Sequence, residues 1–540
     1  MYHVMRFIVP VLFFISTLWL VIGTGGIVNS PDENANRIFA TAFLTDGSLF
    51  VDEPLNAQIH GLISPRSAIT SSDKILPGSF LGLPLYFGAI GVIVGTGGMM
   101  LITPILAILA LLAWRGTVKK LTEDDIIADL SALFLMIHPA FWLYTGRTMM
   151  HNVAFLSLMI FAAYFFVARP IKKRGAWNIA LAGLMLGAAI AFRTSEVIWI
   201  LPIVLWGTWM ARKTLTWKKI VLGITMAAIA LLPIAITQTN LFGAPWEFGY
   251  NQISDHSLSD FITLEGPGAP PLEVASESSH IVASIGAFIL PFGFHEKAIL
   301  RHVWQYGFLL YPWMSALTLI GVGIVLAKKE KRNHVVWKPL LILTILLSIW
   351  LGIFYGSWTF HDNPDPNIYS LGNSYVRYWL PLFLLASPFA ALAAQEVTSL
   401  IKNKHARVAS TTAVVIIFIA LSGNLVFFGE DGFVKTHAAL ATFEEKKEII
   451  LSVTEEESVI IVDRADKYLY PDRRVIVPLR SDITYAAMPT IVKQVPLYYF
   501  GITLPKKDLN FLNETQLQDG LLIEPVITIS EETLYRISNE

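Results

Sequence analysis

The sequence contains no cysteine in 540 residues. That absence removes disulfides, thiolate metal sites and cysteine nucleophiles together, so any catalytic group must be a carboxylate, a histidine or a hydroxyl. Charge is scarce as well: Asp, Glu, Lys and Arg make up 15% of the chain and balance to a formal net charge of −1. Without a basic excess, nothing argues for nucleic acid as a partner. Neither a P-loop nor a dinucleotide fingerprint occurs, and no HExxH or paired-ligand spacing marks a metal site. No cofactor is implied, although acidic external loops could hold a divalent metal without a motif to announce it. Internal repeats and low-complexity tracts are missing, and the lack of an inverted repeat argues against the common transporter folds.

What is present is apolar length. Hydrophobic residues are 54% of the chain, in blocks too long for a soluble core, which predicts a polytopic α-helical membrane protein. Basic clusters fall between the blocks at Arg115, Lys119 and Lys120 and at residues 169–174, 211–219, 328–332 and 402–407. Placing all five in the cytoplasm predicts about eleven transmembrane helices, at 8–28, 98–114, 126–144, 151–168, 176–192, 197–210, 220–237, 303–327, 335–355, 375–394 and 408–428. The amino terminus is then cytoplasmic and the carboxyl terminus external, with the plasma membrane as the expected location. Residues 80–94, interrupted by Pro84 and several glycines, read as a re-entrant or interfacial helix.

This topology leaves external loops at 29–79, 240–301 and 356–374 on a transmembrane domain of residues 1–428, followed by an external soluble domain at 429–540. The tail is long enough for one modest core, and SVIIVDRADKYLYPDRRVIVP reads as two short strands around a polar turn, hence a small α/β domain. Asn513, Glu514 and Thr515 form a glycosylation sequon, a pattern common by chance.

Candidate chemistry concentrates in the first loop, NSPDENANRIFATAFLTDGSLFVDEP, where Asp32 and Glu33 follow the first apolar run. An aspartate there can take a proton from an acceptor hydroxyl; alternatively, acidic residues only keep the loop solvated. If SPDENANRIFATAF is helical, with Ser30 or Asp32 capping it, Asn36 and Arg37 share a face with the pair. Further on, Arg147 and His151 at a spacing of four would share a helix face, with Asn152 beside them; span-end anchoring is the other reading. Arg193 sits between two short apolar segments, either paired with Glu196 or contacting a phosphate. Lys74 and Arg377 complete a set of cations near the external head-group plane, where they could stabilise a phosphate leaving group.

Taken together, PDEN and ATAFLTDGSLF after the first span, LPGSFLGLPLYFG, RTMMHN, AFR between short spans and SYVRYWLPLF near residue 380 resemble a family. The resemblance is to the GT-C membrane glycosyltransferases of the protein O-mannosyltransferase and aminoarabinose-transferase type, over residues 1–428. It implies a GT-C-like catalytic domain that uses polyprenyl-phosphate sugars, with the Asp of an Asp-Glu pair, here Asp32 and Glu33, as base. It also implies interfacial helices at 76–94 and a late-span signature at Arg377, Tyr378, Leu380 and Pro381. Where many members carry an acidic residue after the third span, this chain has His151 and Asn152.

The expected function is an inverting glycosyltransferase, a hexosyl or pentosyl transferase working at the external face. Asp32 and Glu33 are its catalytic pair, Lys74, Arg147, Arg193 and Arg377 the donor phosphate ligands, and Asn36, Arg37, His151, Asn152 and Tyr378 the substrate contacts. Its partners are the polyprenyl-phosphate sugar donor, a protein, lipid or glycan acceptor, and membrane lipids. Alternatives are an oligosaccharide transferase or ligase with a pyrophosphate donor, a transporter or flippase, and a catalytically inactive scaffold presenting the tail.

Overall fold

A computed structural model describes residues 2–167, 175–249, 290, 292–359, 368–517 and 520–539. The basic cluster at 169–174, most of the loop expected at 240–301 and residues 360–367 of the loop expected at 356–374 lie outside the described residues. The chain divides into two compact units, each discontinuous in sequence. One contains Met1–Trp19, Thr103–Leu232 and Pro267–Lys435; the other contains Leu20–Ile102, Pro233–Gly266 and Thr436–Glu540. The tail from Thr436 thus shares a compact unit with the first loop, although it follows that loop by more than three hundred residues.

Among the described residues, six helical segments are long and apolar enough to cross a membrane: Gly82–Met99, Ile102–Thr122, Trp217–Phe242, Trp337–Phe354, Leu380–Ser399 and Lys404–Val453. The number rises to nine if each of three bent pairs counts as one span. These pairs are Asp125–Met136 with Pro139–Gly146, Ala176–Phe192 with Thr194–Met210, and Glu296–Leu309 with Pro312–Ala327, bent by 56°, 119° and 95°. The protein is therefore an integral membrane protein, and the count of eleven is not recovered. One bend lies at Pro139, whose ring and missing N–H cannot continue the preceding helix. Near the amino terminus, helix Tyr2–Thr17 ends before the segment in which Gly23, Gly25 and Gly26 take positive φ, so no continuous helix covers 8–28.

The helices differ in what they face. The most apolar stretch of Leu380–Ser399 is 67% buried, whereas that of Trp217–Phe242 is 11% buried and exposes Ile224, Ile229 and Leu232. An apolar helix left uncovered on most sides has a hydrocarbon solvent.

The second unit is built on two sheets. Strands β1 (Val51–Asp52), β2 (Ala68–Ser71) and β3 (Lys74–Pro77) form an antiparallel sheet in the order β1-β3-β2. Residues 74–77 are therefore extended, and the helix that the resemblance places from residue 76 begins instead at Gly82. Helix Gly82–Met99 packs on helix Pro31–Asp46, and Gly88 permits that approach, since a Cβ there would meet the Ala40 carbonyl oxygen at 2.8 Å.

The second sheet contains β4 (Val459–Val462), β5 (Arg474–Ile476), β6 (Leu497–Ile502), β7 (Leu521–Ile529) and β8 (Glu532–Asn539), in the order β5-β4-β6-β8-β7. The pair expected from SVIIVDRADKYLYPDRRVIVP is β4 and β5. They run parallel, which requires a crossover, and the short helix Asp466–Leu469 lies in it. All four residues of β4 are buried, as a central parallel strand demands. Asn513 of the sequon bonds both backbone polar groups of Ile523 through its amide, at 2.8 and 3.3 Å.

Candidate functional site

Helix Pro31–Asp46 starts as the residue types dictate. Ser30 accepts from the Asp32 N–H at 3.2 Å, Glu33 accepts from the Ser30 N–H at 3.3 Å, and Pro31 fills the first turn, completing a capping box. Glu33 is thus buried and engaged in the cap, while Asp32 stays half-buried and receives a hydrogen bond from the Ser67 hydroxyl at 2.7 Å. Two neighbouring carboxylates therefore meet different surroundings, one closing a helix end and one accepting from a hydroxyl.

One turn along, Arg37 donates to the Asn34 side-chain oxygen at 3.1 Å. Burial pushes the Arg37 guanidinium below its ordinary value, and the Asp472 carboxylate pulls it back up. Among the described residues, Asn34 Nδ2 and Arg37 Nε are buried donors without a hydrogen-bond partner. An unsatisfied buried donor costs about 1–3 kcal/mol, so two on one helix face ask for an acceptor. Asn34 escapes sequence reasoning, and its signal is the three-residue spacing to Arg37. Asn36 is buried on the same helix, and Lys74 on β3 stands over the Phe50 ring at 4.2 Å from its centroid.

The tail contributes to this unit directly. The Arg66 side chain and backbone hold both oxygens of the fully buried Asp466, Arg474 Nε donates to Glu53 at 2.9 Å, and Lys467 donates to the Asn29 carbonyl at 3.2 Å. Ile63 pairs with Ile476, covering the free edge of β5.

The remaining candidates lie in the first unit. Arg193 and Glu196 form a buried pair at 2.7 Å, and Arg193 also donates to the Tyr355 hydroxyl at 3.0 Å. Tyr355 donates to Glu196 at 2.6 Å, and the Trp199 indole donates to its other oxygen. Tyr378 stacks on Tyr355 at 4.5 Å and lies beneath both Arg193 and Arg377, at 4.9 and 5.1 Å. Arg377, half-buried, donates to Met150 Sδ at 3.0 Å, Ser374 at 3.1 Å and the Tyr378 hydroxyl at 3.2 Å. Asn152 donates to the Arg377 carbonyl at 3.3 Å, which joins the RTMMHN and SYVRY segments.

One expectation fails here: Arg147 and His151 do not share a helix face. Arg147 caps the end of Pro139–Gly146 and His151 opens His151–Val167, so the chain turns between them and a spacing of four loses its meaning. Both are buried, and Arg147 lies 5.9 Å from the Tyr144 ring centroid. Among the described residues, no group of three or more His, Asp or Glu side chains is placed to hold a metal ion.

The spans, the sheeted first loop and the small carboxyl-terminal sheet together form the fold of the GT-C membrane glycosyltransferases of the aminoarabinose-transferase type. The chain is similar in structure to ArnT from Cupriavidus metallidurans, solved bound to undecaprenyl phosphate, with a TM-score of 0.52 over 97% of each chain. Sequence identity is 11%, so the likeness is one of fold, and it extends through the tail as well as the transmembrane part. No family model matches the chain, and no curated protein matches it significantly.

Proposed function

We propose that this protein is an inverting glycosyltransferase that moves a sugar from a polyprenyl-phosphate donor to an acceptor at the external face of the membrane. The observation that carries the reading is the shared fold, over nearly the whole of both chains, with a protein solved bound to undecaprenyl phosphate. In the reaction, Asp32 takes the proton of the acceptor hydroxyl, the acceptor oxygen attacks the anomeric carbon, and the bond from that carbon to the phosphate oxygen breaks, releasing polyprenyl phosphate.

The residues divide the work according to their surroundings. Asp32 is reachable and hydrogen-bonded, which suits a base. Glu33 orients the loop helix through its cap. Asn36 and Arg37 contact substrate, together with Asn34, a role supported by the unsatisfied donors of Asn34 and Arg37. Lys74, Arg147, Arg193 and Arg377 remain the proposed phosphate ligands. Among them, Arg377 is favoured by its half-exposed position beside Met150, Ser374 and Tyr378, and Arg193 is disfavoured because Glu196 already compensates its charge. Asn152 and Tyr378 support the Arg377 segment, and His151 remains a proposed substrate contact.

The test uses full-length protein in detergent with undecaprenyl-phosphate-linked sugars, following release of undecaprenyl phosphate. Asp32→Asn keeps shape and removes the basic oxygen, so turnover falls about 10²-fold to 10⁴-fold while undecaprenyl phosphate binding persists. Arg377→Ala weakens that binding, and Glu33→Gln does less harm to turnover than Asp32→Asn. Full activity of the Asp32→Asn protein would remove the base from this mechanism.

A further inference from the structure

Ser67 holds a backbone conformation that serines rarely adopt. Its φ is 64°, in the left-handed region where a Cβ crowds the chain, and a non-glycine residue stays there only when its neighbours determine it. Three determinants are present. The Gly78 N–H donates to the Ser67 carbonyl at 3.2 Å, and position 78 has to be glycine for this approach, since a Cβ there would meet that oxygen at 2.9 Å. The Ala68 N–H donates back to Pro65 at 3.3 Å, closing the turn.

The third determinant comes from the tail. Asp466 Oδ2 accepts from the Arg66 backbone N–H at 2.9 Å, and Oδ1 accepts from Arg66 Nε and Nη2 at 2.9 and 2.7 Å. One buried carboxylate therefore fixes both the backbone and the side chain of the residue preceding Ser67, through charge-assisted bonds that are stronger than neutral ones. Arg66 Nη2 also reaches the Arg464 carbonyl at 3.2 Å, so the loop after β4 surrounds it. The product of this bracing is a hydroxyl aimed at Asp32 Oδ1, at 2.7 Å.

We propose that Ser67 is a positioning residue for the Asp32 carboxylate, held against it by the clamp that Asp466 of the tail closes on Arg66. The proposal rests on Asp32 acting as the base and assigns the tail a role in the chemistry: it fixes the rotamer of that carboxylate and with it the direction the carboxylate presents to the acceptor. Strain kept at a catalytic loop is thereby tied to a contact 400 residues away in sequence.

The hydroxyl bond also favours the ionised carboxylate, so its loss raises the pH at which Asp32 titrates. On its own helix the other titratable groups near Asp32 are Glu33 and Arg37. The elements packed against that helix carry Lys74 on β3, Tyr86 on Gly82–Met99, and Asp466, Lys467 and Tyr468 on Asp466–Leu469, with Arg66 in the loop. Substituting Ser67 alters none of these charges, so a change in titration reports the hydroxyl.

The experiment follows the carboxylic acid carbonyl band of Asp32 by infrared difference spectroscopy on full-length protein in detergent, against an Asp32→Asn reference. Ser67→Ala removes the hydroxyl and keeps the strain; Ser67→Gly removes the hydroxyl and relieves the strain. Both should move the titration upward by about one pH unit, and move the acid limb of the rate profile by the same amount. Asp466→Asn should move both in the same direction by less. A wild-type titration in Ser67→Gly would overturn the role of Ser67, and a wild-type titration in Asp466→Asn would overturn that of the clamp. If Asp32→Asn retains full turnover, the assignment of Asp32 as base fails instead, whatever the infrared titration gives, and a wild-type protein that releases no undecaprenyl phosphate from any donor would remove the glycosyltransferase reading itself.

Discussion

Arg193 and Glu196 meet across three residues of chain; Arg66 and Asp466 meet across 400. Each is an arginine on a buried carboxylate, one pair in each compact unit, and the two serve different ends. The first is self-contained: Glu196 sits one turn after Arg193 and the partners Tyr355 and Trp199 complete its acceptor sites, so a charge among apolar helices is neutralised where it arises. The second joins a loop to a domain encoded far downstream, with Glu53 and Arg474 repeating the device nearby. The difference teaches that the short-range pair makes a membrane segment tolerable, whereas the long-range pairs set the shape of the loop that carries Asp32.

The largest effect should come from opening the self-contained pair. Glu196→Ala leaves a buried guanidinium uncompensated and should cost about 3–5 kcal/mol, read as a lower melting temperature in detergent. The double variant Arg193→Met, Glu196→Leu should recover a good part of that, since an apolar replacement avoids the desolvation cost of both ions. If the single variant melts like wild type, the pair does not carry the burden assigned to it.

An intermediate effect belongs to Glu53 and Arg474. Arg474 is 27% exposed on its side chain, and Glu53→Gln should cost about 1–2 kcal/mol, falling further as salt is raised. The Arg193 pair, 7% and 4% exposed, should be indifferent to the same salt series. Equal salt sensitivity in the two cases would erase the contrast between them.

The smallest effect lies at the tail surface. A hydrogen bond from Tyr498, at 2.6 Å, holds the Glu455 carboxyl below the ordinary glutamate range, with Arg536 and Arg473 adding to it. A depressed carboxylate stabilises the fold above its unfolded value and loses that contribution as pH falls through the folded one, so the gain should fade in acid. Tyr498, pushed up to about 12 mainly by burial and also by Glu455, behaves in the opposite sense, its contribution lost only at strongly alkaline pH. Tyr498→Phe should flatten the acid side of a melting temperature profile, and a profile unchanged by that substitution would show that the bond to the exposed Glu455 contributes nothing.

Local chemistry was legible in proportion to its range. A helix start at Ser30 or Asp32, the strands at 459–462 and 474–476 and Glu196 as one of two readings for Arg193 all follow from residues within one or two turns, or within one strand, although the part of Glu33 in the cap did not. Strands β1 to β3 were not, because two to four residues carry too little alternation to distinguish a strand from a polar loop. The supposed shared face of Arg147 and His151 failed for the same reason in reverse: a spacing of four is meaningful only inside one helix, and the turn between them depends on packing.

By itself the sequence determined that this is an integral membrane protein, since apolar runs of spanning length can be satisfied only in hydrocarbon, and that Asp32 and Glu33 stand in the polar stretch after the first apolar run. Only the tertiary structure decided what surrounds that aspartate. Ser67, Arg66 and Asp466 come together through a sheet and a tail separated by most of the chain, and side chains that far apart leave no periodicity for a reader to follow. Their association is decided by burial and by the requirement that every buried charge find a partner, conditions that exist only once the chain has folded.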